Sequence, residues 1–73
     1  MYTAIRSDFP GISLAAARVN KRLTQKEFAR ACNVSESTVI KWESGESQPS
    51  IKKLPLIEEV LCMPLNYIDF SRR

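Results

Sequence analysis

Thr24-Gln25-Lys26-Glu27-Phe28-Ala29-Arg30-Ala31-Cys32-Asn33-Val34-Ser35-Glu36 is the stretch whose reading decides the fold. Thr24 and Glu27 have the spacing of a capping box. The Thr24 hydroxyl can accept from the Glu27 backbone N–H while the Glu27 carboxylate reaches back to the Thr24 N–H. A helix that starts there presents Phe28, Ala29 and Cys32 on one face. Asn33 ends it, because asparagine is the non-glycine residue best suited to a left-handed position just past a helix. Only Val34 separates that stop from Ser35, a good N-cap, and Glu36 complements the positive end of the next helix. Val39 and Trp42 face the same way on this second helix, and Ser44-Gly45 closes it. Two short helices joined this tightly cross at a steep angle, the geometry of a helix-turn-helix.

Outward from this centre, the run from Ile12 to Lys21 is rich in Ala and Leu with no breaker, and it predicts a first helix. Residues 1–11 have little periodicity and end in the turn signal Pro10-Gly11, so they are expected to form a mobile N-terminal arm. Past the second helix of the motif, Glu46 to Pro49 is a polar loop. Ser50 can cap a fourth helix that reaches about Leu61 with Leu54, Ile57 and Leu61 as its apolar stripe. Pro55 is compatible with that helix if its regular part starts near Lys53 or Leu54; otherwise the first turn is distorted. Cys62-Met63-Pro64 breaks the chain, Leu65 to Phe70 reads as a short final helix, and residues 71–73 form a basic tail. The expectation is an all-α domain over residues 12–70.

Composition narrows the function classes. With 73 residues the chain is a single domain, too small for a generous core. Eleven Lys and Arg against eight Asp and Glu give a net charge of +3, which suits an anionic partner modestly. Two cysteines, Cys32 and Cys62, with no histidine do not build a usual zinc site, so neither metal nor other cofactor is expected. Both lie in apolar patterns and read as free buried thiols of a reducing cytoplasm. No stretch suits a signal peptide or a membrane span. No glycine-rich phosphate loop and no nucleophile–base pair is present, which argues against an enzyme.

Leu23-Thr24-Gln25-Lys26-Glu27-Phe28-Ala29, Asn33-Val34-Ser35, Ser37-Thr38-Val39, Lys41-Trp42-Glu43, Gly45 and Pro49 together resemble the phage-repressor family of helix-turn-helix proteins, the Cro/CI or Xre type. The resemblance covers about residues 12 to 70 and implies a compact five-helix, lambda-repressor-like DNA-binding domain. Its third helix, about residues 36–43, would enter the major groove of a double-stranded operator, where the N-terminal residues of a helix reach base edges. Those residues are Glu36, Ser37 and Thr38, with Lys41 one turn on. Gln25 matches a family position that contacts phosphate, as a helix N-terminus can. Arg18 and Glu43 match a pair that ties the first helix to the third.

The same residues have plainer readings. Lys41 and Ser37 can be ordinary solvated groups, and Thr38 can bond within its own helix. Glu36 more naturally serves the helix dipole than a cytosine amino group. Val39, Trp42, Phe28 and Leu23 read as core. Three departures from the family stand out: Asn33 replaces a turn glycine, Cys62 replaces a glycine before the last helix, and Ile40 replaces a small or polar residue on an exposed face. Ile40 would meet a thymine methyl group or a protein partner, or play no part at all. Met63, Leu65, Tyr67, Ile68 and Phe70 exceed what a small core absorbs, so Leu65, Tyr67, Ile68 and Phe70 are candidates for a two-fold homodimer interface. A chain that stops soon after its fifth helix points to a Cro-like repressor from a phage or mobile element. The weakly basic surface leaves a second class open: a module of the same fold that binds a repressor or a toxin.

Overall fold

The computed structural model describes residues 11–71. Residues 1–10 of the arm expected over 1–11, and Arg72 and Arg73 of the basic tail, lie outside the described residues. Within them are α1 (Leu14–Asn20), α2 (Gln25–Ala31), α3 (Glu36–Ser44) and α4 (Leu54–Leu61), with 3₁₀ turns at Ile51–Lys53 and Leu65–Tyr67. No helix among them is long and apolar enough to cross a membrane.

Hydroxyl caps start the first three helices. Ser13 accepts from Ala16 N–H (3.0 Å), Thr24 from Glu27 N–H (3.0 Å), and Ser35 from Thr38 N–H (3.2 Å). Glu27 completes the capping box by accepting from Thr24 N–H at 2.8 Å. The Ser13 cap moves the start of α1 inward from the expected Ile12. Ser50 does not cap α4 through its side chain. The chain there makes a 3₁₀ turn, and regular helix begins at Leu54, which places Pro55 in the first turn, where its missing N–H costs nothing.

All four α-helices stop alike. A left-handed residue follows each, Arg22 (φ 60°), Asn33 (φ 62°), Gly45 (φ 85°) and Cys62 (φ 53°), and only one is glycine. The backbone N–H two residues past the last helical turn bonds back across it, as Val34 does to the Ala29 carbonyl (2.9 Å), Leu23 to Arg18 (3.3 Å), Glu46 to Lys41 (3.0 Å) and Met63 to Glu58 (3.3 Å). This is the Schellman closure, and it comes with an apolar residue packed back onto the core. Leu23, Val34 and Met63 play that part.

The core gathers Leu14, Ala17, Phe28, Ala29, Cys32, Val39, Trp42, Ile57, Leu61 and Ile68, drawn from all four helices and the C-terminal segment. Phe28, Val39, Ile57 and Cys32 are wholly inaccessible, and each large apolar side chain so placed stabilises the fold by about 1.5–3 kcal/mol. Burial pushes the Cys32 thiol up from its ordinary range, with nearby Lys53 opposing the shift.

Two expectations need correction. The final helix over Leu65 to Phe70 is only a 3₁₀ turn, after which Ile68 is extended (φ −109°, ψ 126°) and pairs in a parallel bridge with Ile12. Ile12 N–H donates to the Tyr67 carbonyl (3.0 Å) and Asp69 N–H to the Ile12 carbonyl (2.8 Å), bonds that a helix there would forfeit. Cys62 is a free thiol but not a buried one. Its left-handed backbone turns it off the α4 stripe. Gly11 belongs to the packed structure: at φ +73° an added Cβ would lie 3.3 Å from the Asp69 Cβ.

The exposed left-handed Cys62 supplies a stability test. A side chain in that conformation costs about 1 kcal/mol relative to glycine. Cys62→Gly is expected to raise the unfolding midpoint by about 4–8 °C, as that free energy implies for a domain this small, whereas Gly11→Ala lowers it. Differential scanning calorimetry of both variants checks the two signs.

Candidate functional site

Helix α3 is held from behind. Glu43, in the last turn of α3, receives Arg18 Nε on Oε2 at 2.6 Å and Arg18 Nη2 on Oε1 at 3.3 Å. Arg18 Nη1 also donates to the Leu23 carbonyl at 2.6 Å. Gln25 Nε2 donates to Glu43 Oε1 at 2.9 Å. One carboxylate thus joins α1, the first residue of α2 and α3, and the Arg18 guanidinium adds the α1–α2 turn through Leu23. The two charged side chains are 13% and 8% exposed, so solvent screens them little, and the bidentate fork satisfies both. Among the described residues no buried polar side-chain atom lacks a partner.

With Val39 and Trp42 buried on its inner side, α3 presents Glu36, Ser37, Ile40, Lys41 and Ser44 outward. Those positions recur at helical spacing and make one face. Ile40 is 45% exposed, so its side chain is free to touch whatever that face meets. Thr38 differs: it is half-buried, and its hydroxyl shares a 2.9 Å hydrogen bond with the Ser35 hydroxyl. Ser37 lies 3.1 Å from the same oxygen but stays exposed. Gln25 is half-buried through its bond to Glu43, while its backbone stands at the start of α2, where N–H groups lack helical partners.

The C-terminal candidates divide. Ile68 is 7% exposed and belongs to the core, so it is not available to a partner. Leu65 and Phe70 pack against the core with part of their surface free, and Tyr67 is half-buried.

Lys53 is a residue that the sequence does not betray. Its ammonium donates to the Cys32 carbonyl at 3.1 Å and the Asn33 carbonyl at 3.4 Å. These acceptors lie at the C-terminal end of α2, where a cation meets the negative end of the helix dipole. The contact ties the turn of the motif to the segment that leaves α3. It spans some twenty residues of chain, so no local spacing rule reveals it.

Comparison with known proteins adds independent support. Residues 14–68 match the protein family described as helix-turn-helix. A curated relative from Escherichia coli (strain K12), the HTH-type transcriptional regulator DicA, is 40% identical over 48 residues. That stretch is 64% of this chain and 36% of the relative, so the chain matches little more than a third of that protein's length. No solved structure gives a significant match.

Lys53→Met is expected to lower stability by about 1 kcal/mol, the worth of an incompletely buried charged hydrogen bond. Lys52→Met, at the exposed neighbouring position, should stay within about 0.5 kcal/mol. Urea unfolding of the pair measures the difference.

Proposed function

The chain belongs to the helix-turn-helix family, and from that membership we propose that it is a sequence-specific regulator of transcription that binds double-stranded DNA through α3. The observation that carries this reading is the exposed face of Glu36, Ser37, Ile40, Lys41 and Ser44 on a helix whose opposite side is pinned by Trp42 and Glu43. The B-DNA major groove admits one helix, and a rigidly backed one keeps its register there. Ser37 and Lys41 supply the polar contacts, and Ile40 supplies an apolar contact suited to a thymine methyl group. Glu36 sits in the first turn of α3 and serves the helix dipole. Thr38 acts by bracing Ser35, and Gln25 offers its backbone N–H to a phosphate. The name of the Escherichia coli relative agrees with regulation of transcription. A Cro-like repressor role and an origin in a phage or other mobile element rest on the resemblance in Leu23 to Pro49. Work on DNA places the protein in the cytoplasm. Half-buried Leu65, Tyr67 and Phe70 are the remaining candidates for a two-fold homodimer interface, and such a dimer would read a pseudo-palindromic operator.

Ile40 favours a second reading. A large apolar side chain that is 45% exposed in the middle of the reading face also fits a protein interface, as in a module that binds a repressor or a toxin.

Gel-shift titration against the DNA beside its own gene separates the two. The expected result is a salt-sensitive shift at micromolar protein, with Lys41→Ala weakening operator binding by about 1–2 kcal/mol relative to unrelated DNA. No shift, together with a nuclease-resistant protein complex that Ile40→Asp abolishes, would establish the protein-interface reading instead.

A further inference from the structure

Lys53 is the residue at which α4 begins, and local physics argues against a lysine there. Its side chain caps none of the free N–H groups of that helix. Its charge stands at the positive end of the α4 dipole, where a cation is disfavoured. The ammonium reaches instead to the turn of the motif, on the Cys32 carbonyl at 3.1 Å and the Asn33 carbonyl at 3.4 Å. What Lys53 contributes, it contributes across the fold.

We propose that Lys53 is a positioning residue for DNA reading: it sets the placement of the N-terminal end of α3 through the α2–α3 turn, without touching DNA itself. The inference rests on the DNA-binding reading above and adds to it a residue from outside the motif.

Three observations support it. First, the bonded carbonyls lie where the chain changes direction. Asn33 is left-handed (φ 62°), and its carbonyl belongs to the peptide that enters Val34. The N–H of that same peptide donates to the Ala29 carbonyl at 2.9 Å. The peptide plane is thus held on both sides, by α2 through its N–H and by Lys53 through its oxygen. The next residue, Ser35, caps α3. Second, Lys53 is itself fixed. Its backbone N–H donates to the Ser50 carbonyl at 2.9 Å, and α4 behind it is anchored in the core by Ile57 and Leu61. Third, the two polar ties on α3 sit at opposite ends. Glu43 holds the last turn, about 9 Å along the helix axis from Ser37. A rod tied at one end can still swing at the other. The Lys53 tie is made two residues before the Ser35 cap, and Glu36 and Ser37, exposed at that end, follow it.

Hydrogen bonds to base edges weaken steeply when a donor is misplaced. Attraction to the phosphate charge carries no such demand and reads no sequence. Loss of Lys53 therefore falls on discrimination between sequences.

The test is fluorescence anisotropy of the full chain across a salt series. The probes are the shortest duplex from beside its own gene that the gel titration shows bound, and a scrambled duplex of equal length. The temperature is one at which circular dichroism shows the unsubstituted chain folded. Lys53→Met should weaken the first duplex by about fivefold or more, the lower end of what a lost base contact costs. It should leave the scrambled duplex and the slope of log affinity against log salt as they were. Lys53→Arg, which keeps a cation and donors for both carbonyls, should recover most of the lost affinity. An undiminished preference in a folded Lys53→Met chain would overturn the assignment and leave the DNA reading standing. Equal loss on both duplexes with a slope flatter by about 0.9 would also overturn it, because Lys53 would then touch a phosphate. A Lys53→Met chain that is unfolded under these conditions would overturn it as well, since the residue would then act on the fold as a whole. If the unsubstituted chain binds neither duplex at any salt, the DNA reading fails and the assignment fails with it.

Discussion

The carboxylate of Glu43 holds α3 in place, and the rest of the arrangement depends on that constraint. A helix of nine residues cannot persist in water on its own propensity. Its inner face packs Val39 and Trp42 into the core, but apolar contacts alone leave it free to roll or slide. The Arg18 fork and the Gln25 amide remove that freedom, since charged hydrogen bonds are directional and these three side chains satisfy one another away from solvent. The cost is desolvation of two charges. It is tolerated because the guanidinium also reaches the Leu23 carbonyl, which ties the α1–α2 turn to the same node.

Around that node the helices are short, and their ends matter as much as their middles. Three hydroxyl caps, one complete capping box and four left-handed closures settle backbone groups that helices of seven to nine residues would otherwise leave unpaired. Lys53 adds a charge to one of those closures. The turn of the motif is therefore specified twice, once by Asn33 and once from outside by a cation delivered from beyond α3.

Local features were legible and distant ones were not. Thr24 and Glu27, Asn33, Ser35 and Ser44-Gly45 declare helix ends through chemistry contained in a few residues, and the structure places helix ends there. Arg22 and Cys62 give no such signal themselves, although Leu23 and Met63, the apolar residues that follow them, are the mark of a Schellman closure. The extended Ile68 could not be inferred from Leu65 to Phe70 alone, because its partner Ile12 lies at the other end of the domain and tertiary pairing overrides the local helical pattern. The tie from Arg18 to Glu43 spans 25 residues; family resemblance points to it, and periodicity does not.

The first three helices thus share a single anchor. If that account is right, Arg18 and Glu43 act as one unit. A double-mutant cycle of Arg18→Ala, Glu43→Ala and both together, followed by urea unfolding, measures this directly. The account predicts a coupling free energy of about 1–3 kcal/mol, with the second substitution costing little once the first is made. Additive losses, with coupling near zero, would show that Glu43 does not anchor α3.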